Sequence, residues 1–236
     1  KGGIIAVDLN ENDFLVGAAI TDGKHDVMLF SDAGKAVRFD ENDVRPMGRT
    51  ARGVRGMNLG PAQQVIAMLV APAEVADVSV DGVDGNPVAV LEVGENASTA
   101  NVLGSVLTAT ENGFGKRTPI AEYTRHGRGT KGMIAIQTTE RNGKVVAAAL
   151  VSPDDQIMLI TTGGVLVRTR VAEIREMGRA TQGVTLINVD EGTRLSGLQR
   201  IAESDSDDDE VDAEEGLASE GTLEGAPDEP ADDADN

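Results

Sequence analysis

The 236 residues carry 40 Asp and Glu against 21 Lys and Arg, a formal charge of −19, with no Cys, no Trp and two His. That composition excludes disulfides and thiol chemistry and leaves no credible zinc set, and no apolar run is long enough to span a bilayer. The charge is unevenly placed: residues 203–236 hold 16 acidic and no basic residues, so residues 1–202 come to 24 acidic against 21 basic.

The chain begins at Lys1 in the middle of a pattern and shows no signal peptide, which reads as a fragment of something longer. Residues 1–22 look like half a repeat, because 3–9 align with 53–59 and 14–20 with 65–70. The first full copy, 23–72, has four short apolar runs at 27–30, 36–39, 54–59 and 65–70. An insertion at 73–104 follows, with Glu74, Asp77, Asp81, Asp84, Glu92 and Glu95 and no Lys or Arg. Its Asp-Gly turns predict a protruding acidic hairpin or loop that points away from any polyanion. The second copy, 105–152, has runs at 106–109, 115–118, 133–138 and 145–151, and the third, 153–202, has them at 157–160, 166–169, 184–189 and 195–201. The tail, 203–236, is rich in Asp, Glu, Ala and Gly and is expected to be disordered, either as a solubilising appendage or as a polyanion competing for a basic surface.

Within each copy the first two runs are joined by a Gly-containing hairpin turn. The third run is apolar on both faces, as expected of a strand buried from two sides. Short β-branched runs between glycines indicate an all-β protein. A four-stranded unit of about fifty residues is the size of a propeller blade. The expected architecture is therefore three full blades plus part of another.

A skeleton of Gly, Arg, Arg and Gly recurs with the same spacing in each copy: Gly34, Arg38, Arg49, Gly53; Gly113, Arg117, Arg128, Gly132; Gly164, Arg168, Arg179, Gly183. The glycines read as backbone devices for turns and strand crossings. The arginines admit two readings, as caps on carbonyls or local acids, or as phosphate ligands. Of the 21 basic residues, 15 lie in or immediately beside the three Gly-to-Gly windows. They are Lys35, Arg38, Arg45, Arg49, Arg52 and Arg55, then Lys116, Arg117, Arg125, Arg128 and Lys131, then Arg168, Arg170, Arg175 and Arg179. Most of them shift position between copies while the window stays basic, as a phosphate backbone would require.

Aromatic residues are too few for base stacking on single strands. Phe39 and Tyr123 sit at core positions of their runs, and Phe114, after a turn glycine, is ambiguous. The favoured partner is duplex DNA, held by its phosphates and bent around a curved basic rim. Two or three contacts per window give roughly 6–9 in all, and a slope of roughly −5 to −8 in log K against log salt. No catalytic grouping is present: Gly115-Lys116 is followed by Arg117 where a phosphate-binding loop needs Ser or Thr, and His25 and His126 form no triad. No metal site or cofactor is expected in this fragment.

The segments 27–31, 44–48, 53–56, 108–113, 115–118 and 167–171 together resemble the C-terminal domain of DNA gyrase A, and the resemblance covers nearly all of 1–202. It implies a β-pinwheel, a propeller-like ring of Greek-key blades that wraps duplex DNA on its basic perimeter. It also implies a parent assembly: the rest of gyrase A with gyrase B in a heterotetrameric, ATP-hydrolysing type II topoisomerase of the bacterial cytoplasm and nucleoid. Within it, this domain supports negative supercoiling, and an acidic tail modulates wrapping. The fragment itself is expected to be monomeric and non-catalytic. The family's basic QRRGGKG box has no match here. The C-terminal domain of topoisomerase IV, which shares the blades without that box, is therefore the alternative, and a propeller-like protein-interaction scaffold is a third reading.

Overall fold

The computed structural model describes residues 2–73 and 104–201. The 73–104 insertion, apart from its two end residues, and the 203–236 tail lie outside them. Every regular element among the described residues is a β-strand or a three-residue 3-10 turn.

Copy one forms a hairpin from β1 (His25–Ser31) and β2 (Lys35–Asp40), and β3 (Val65–Pro72) pairs antiparallel with β1. Copy two repeats this with β4 (Ser105–Thr110), β5 (Phe114–Pro119) and β7 (Val145–Val151), β6 being the two residues Met133–Ile134. Copy three has β8 (Gln156–Thr161), β9 (Leu166–Arg170) and β11 (Leu195–Ile201), with β10 at Val184–Thr185. Strands β1 and β8 alternate strictly between buried and half-buried residues for most of their length, as side chains on opposite faces of a strand must.

The sheets are built across copies. Their orders are β3-β1-β2-β6, β10-β5-β4-β7 and β11-β8-β9. The third run of copy two supplies the edge strand of the first sheet, where Ala36 faces Met133, and the third run of copy three closes the second sheet, where Gly115 faces Val184. Among the described residues the last sheet has three strands, with no third run from another copy paired to β9. The same rule accounts for residues 2–22, which form no strand and leave Ile4, Phe14 and Ile20 largely exposed. Segment 3–9 corresponds to a third run and 14–20 to a fourth, and the sequence holds no earlier hairpin to receive either.

Cores lie between successive sheets. Met28, Phe30, Ala36 and Ala71 of copy one are buried against Val106, Ile120, Tyr123 and Ala135 of copy two. Leu107, Ala109 and Val151 pack in the same way on Ile157, Leu159, Val171 and Ile174. The Phe30 and Tyr123 rings meet edge to face at 6.0 Å, and burial raises the Tyr123 phenol pKa well above its ordinary value. Phe39 and Tyr123 are thus core residues, whereas Phe114 is half-buried with the Arg141 guanidinium 4.6 Å over its ring.

The skeleton glycines do what their spacing predicts. All six adopt positive φ, between 73° and 86°. A Cβ on Gly34 or Gly113 would stand 2.3 or 2.2 Å from the carbonyl oxygen of Ile136 or Ile187 in the next copy. On Gly132 or Gly183 it would stand 2.5 or 2.6 Å from the oxygen of Ala36 or Gly115 in the preceding copy. Each copy's backbone therefore crosses its neighbour's at these points.

Candidate nucleic-acid interface

The first arginine of the skeleton points inward. In β2, Arg38 shares a face with Asp26 of β1, diagonal to it in the hairpin register. Arg38 is 1% exposed, with Nε 2.7 Å from Asp26 Oδ2. Its NH1 donates to the Ile120 and Tyr123 carbonyls at 3.2 and 3.0 Å. Arg117 is half-buried and donates from Nε to Ile174 O at 2.7 Å, the corresponding carbonyl of copy three. Arg168 has no later copy to reach; it is exposed and bonds Gln156 within its own hairpin at 2.5 Å.

These contacts correct three of the sequence-derived phosphate ligands. Arg38 is sealed from solvent. Lys116 is fully buried, and its Nζ donates to the carbonyls of Gly178 and Arg179 at 2.5 and 2.6 Å. Arg125 is two-thirds buried, with NH2 2.6 Å from Asp26 Oδ1 and NH1 3.4 Å from Asp40 Oδ2, so two carboxylates already offset its charge.

Burial pulls the Lys116 ammonium down to about 8, with Glu122 raising it and Arg179 lowering it further. A free lysine titrates near 10.4. Below pH 8 both states carry the proton and the burial penalty is complete. Between about pH 8 and 10.4 the unfolded chain binds more protons than the folded one, so stability rises with pH. Relative to Lys116→Met, the wild type is expected to gain about 2 kcal/mol across that window, read from urea unfolding at pH 7.5, 9 and 10.5. A constant difference between the two proteins would refute the burial of a charged Lys116.

The second arginine points outward and backward. Arg49, Arg128 and Arg179 each donate from NH1 to a carbonyl of the preceding repeat: Ile5 O at 3.2 Å, Arg55 O at 3.1 Å and Ile134 O at 3.1 Å. The three acceptors occupy the same place, two residues past a closing glycine. Arg49 and Arg128 are exposed and Arg179 half-buried, so each keeps its charge near solvent.

Around this row lie Arg45, Arg52, Arg55, Lys131, Arg170 and Arg175, all exposed, with Lys35 half-buried. Of these, Arg52 has an acidic partner, Asp8 at 2.9 Å. The cationic loops adjoin one another through the backbone. Asp8 N–H donates to Ala51 O, Gly129 N–H to Gly56 O and Gln137 N–H to Thr181 O, at 3.3, 2.6 and 2.9 Å. Each loop thus rests on the closing segment of the repeat before it, and the windows join into one basic strip.

Basic residues outside the windows are mostly engaged. Lys144 of copy two pairs with Asp32 of copy one at 3.0 Å, and Arg194 of copy three pairs with Glu111 of copy two. Partial burial pushes the Glu111 carboxyl up, but the Lys144 amide and the Arg194 guanidinium together hold it below its ordinary range. Sequence reasoning missed this staple, although its signal was present: an acid in the hairpin turn and a base just before the fourth run of the next copy.

One group of metal-capable side chains comes together among the described residues, Asp22, His25 and Glu41. His25 Nδ1 lies 2.9 Å from Asp22 Oδ1, and Glu41 Oε1 accepts the His25 backbone N–H at 2.7 Å. These contacts account for the group as a polar cap on the start of β1.

A sequence model described as the DNA gyrase C-terminal domain, a β-propeller, matches residues 1–22, 25–72, 104–152 and 155–202. The chain belongs to the DNA gyrase C-terminal domain family. DNA gyrase A of Klebsiella oxytoca is 47% identical over 233 residues, which cover 99% of this chain and 23% of that protein. The chain thus spans about a quarter of the length of such a relative. Among solved structures, a DNA gyrase A C-terminal domain matches with a TM-score of 0.67 at 25% identity, over 85% of this chain and 58% of that one. A topoisomerase IV C-terminal domain also matches with a TM-score of 0.67, at 21% identity over 83% of this chain and 52% of that one, and so shares the fold.

Proposed function

We propose that the chain binds duplex DNA through the strip formed by its window loops and bends it across consecutive copies, as a non-catalytic wrapping domain of a gyrase-type topoisomerase. One observation carries this reading: exposed cations recur on loops that touch from copy to copy, while basic residues elsewhere are mostly paired with acids. The window aromatics Phe39 and Tyr123 are buried and Phe114 is half-buried, so loops that carry cations without base-stacking rings suit phosphate contact without sequence readout. Bending a 20–30 base-pair site by 40–90° requires about 1–6 kcal/mol, which several such contacts can offset.

In this reading the chain acts with the rest of gyrase A and with gyrase B in the bacterial cytoplasm. It presents DNA to a core that cleaves strands and hydrolyses ATP, and the 203–236 stretch tempers wrapping by competing for the strip. The chain itself needs no cofactor and works as a monomer.

Binding titrations of a 40-base-pair duplex across a salt series test the proposal. The expected slope of log K against log salt is roughly −5 to −8. Replacing Arg45, Arg55, Lys131 and Arg170 together with Gln reduces its magnitude by about 3–4, at about 0.9 per phosphate contact. A slope near zero, or one untouched by the quadruple change, would remove the phosphate strip as the binding surface.

A further inference from the structure

We propose that Arg49, Arg128 and Arg179 form a register row: each guanidinium is pinned by the preceding repeat and turns its free edge to a phosphate, so that blade docking and DNA path are coupled. The inference rests on the DNA-binding reading and adds to it a distinction among the cations.

The geometry that sets these three apart is repeated and directional. In each, NH1 is committed to the carbonyl two residues past a closing glycine, at 3.1–3.2 Å. Arg128 adds a second anchor, Nε to Asp43 O at 3.0 Å. In none of the three does NH2 hydrogen-bond to another described residue. Arg179 sits beside the Glu122 carboxylate, which accepts its backbone N–H at 3.0 Å, and this makes it the most shielded member. Arg45, Arg55 and Arg170 are exposed without any such anchor, so they add charge density but fix no position.

A planar guanidinium can hold a carbonyl with one N–H and a phosphate with another, whereas a lysine ammonium is a single mobile point charge. An arginine pinned at one edge has already lost most of the freedom it would lose on binding phosphate. Because the anchoring carbonyl belongs to the neighbouring repeat, a phosphate held on the free edge is tied to two repeats at once. A shift of one blade against the next would move its phosphate with it. The row therefore sets how far the duplex turns per repeat, and the unanchored cations set how tightly it is held.

The test uses the 236-residue chain with Arg49, Arg128 and Arg179 all changed to Lys, which preserves every charge. Nicked plasmid is sealed in the presence of saturating protein, and the linking-number shift per bound molecule is counted. The expected result is at least a twofold smaller shift with a salt slope within about one unit of wild type. Arg194→Lys, a charge-conserving change at an inter-copy ion pair outside the row, keeps the wild-type shift. Circular dichroism confirms folding, and if the triple variant unfolds, the single Arg128→Lys change is scored in the same way. A wild-type shift in the pinned-arginine variant, or an equal loss in Arg194→Lys, would overturn the coupling. Failure of the unaltered chain to bind duplex at all would instead remove the binding reading beneath it.

Discussion

Replacing Arg38 with Met is expected to destabilise the fold by about 3–5 kcal/mol, while the same change at the equivalent Arg168 stays within about 0.5 kcal/mol. Both residues follow a hairpin glycine by four positions and lie in the second strand of their copy, so their place in the repeat does not separate them. The structure supplies one. Arg38 links the buried Asp26 carboxylate to two carbonyls of copy two, and its removal leaves all three acceptors short of a donor in a dry interface. Arg125 still faces Asp26 from 2.6 Å, which holds the loss toward the lower end of that range. Arg168 faces water and one Gln side chain. Urea unfolding of the two variants measures the contrast. Equal effects at the two sites would show that the arginine serves its own hairpin and not the joint between copies.

The second large effect concerns the opening glycine. Gly113 and Gly164 have nearly the same φ, 80° and 81°, so an alanine at either meets the same left-handed penalty, about 1–2 kcal/mol. At Gly113 the added Cβ would also lie 2.2 Å from Ile187 O, a backbone atom that cannot rotate away, whereas at Gly164 nothing lies within 4 Å. Gly113 O in addition accepts the N–H groups of Leu186 and Ile187 at 2.8 and 3.2 Å, so relieving the clash strains the edge strand β10. Gly113→Ala is therefore expected to lose at least about 2 kcal/mol more than Gly164→Ala, a typical overpacking cost. Thermal and urea unfolding of the two alanine variants give the comparison. A matched loss would mean that conformation alone, without the neighbouring backbone, accounts for these glycines.

The repeats, the hairpin turns and the core positions of Phe39 and Tyr123 were legible because each depends on spacing within one copy. The ownership of the third run was not. Met133–Ile134 lies at the same distance in sequence from its own hairpin as a conventional fourth-strand partner would, and periodicity carries no information about which sheet receives it. Arg38 was misplaced for a related reason. A repeated arginine four residues past a turn glycine signals a repeated partner, but the partner can be a phosphate outside or a carbonyl of the next copy. Asp26, on the same face of the hairpin as Arg38, was the clue that favoured the inner reading. Lys116 gave a weaker one, standing where copies one and three have Val37 and Val167, at an apolar position. Among the cations whose positions drift from copy to copy, Arg45, Arg52, Arg55, Lys131, Arg170 and Arg175 stay at the surface, whereas Lys116 and Arg125 are drawn inward.

The most direct test of the account is the topology of DNA closed around this chain. Relaxed nicked plasmid is sealed with ligase at rising protein concentration, and the linking-number change per bound molecule is read from topoisomer ladders. Wrapping on the basic strip predicts a shift of one consistent sign that grows with protein and fades as salt rises. It also falls when Arg45, Arg55, Lys131 and Arg170 become Gln, but persists in Arg38→Met at temperatures where that variant is folded. A ladder that stays centred on the relaxed position while the protein is demonstrably bound would contradict wrapping.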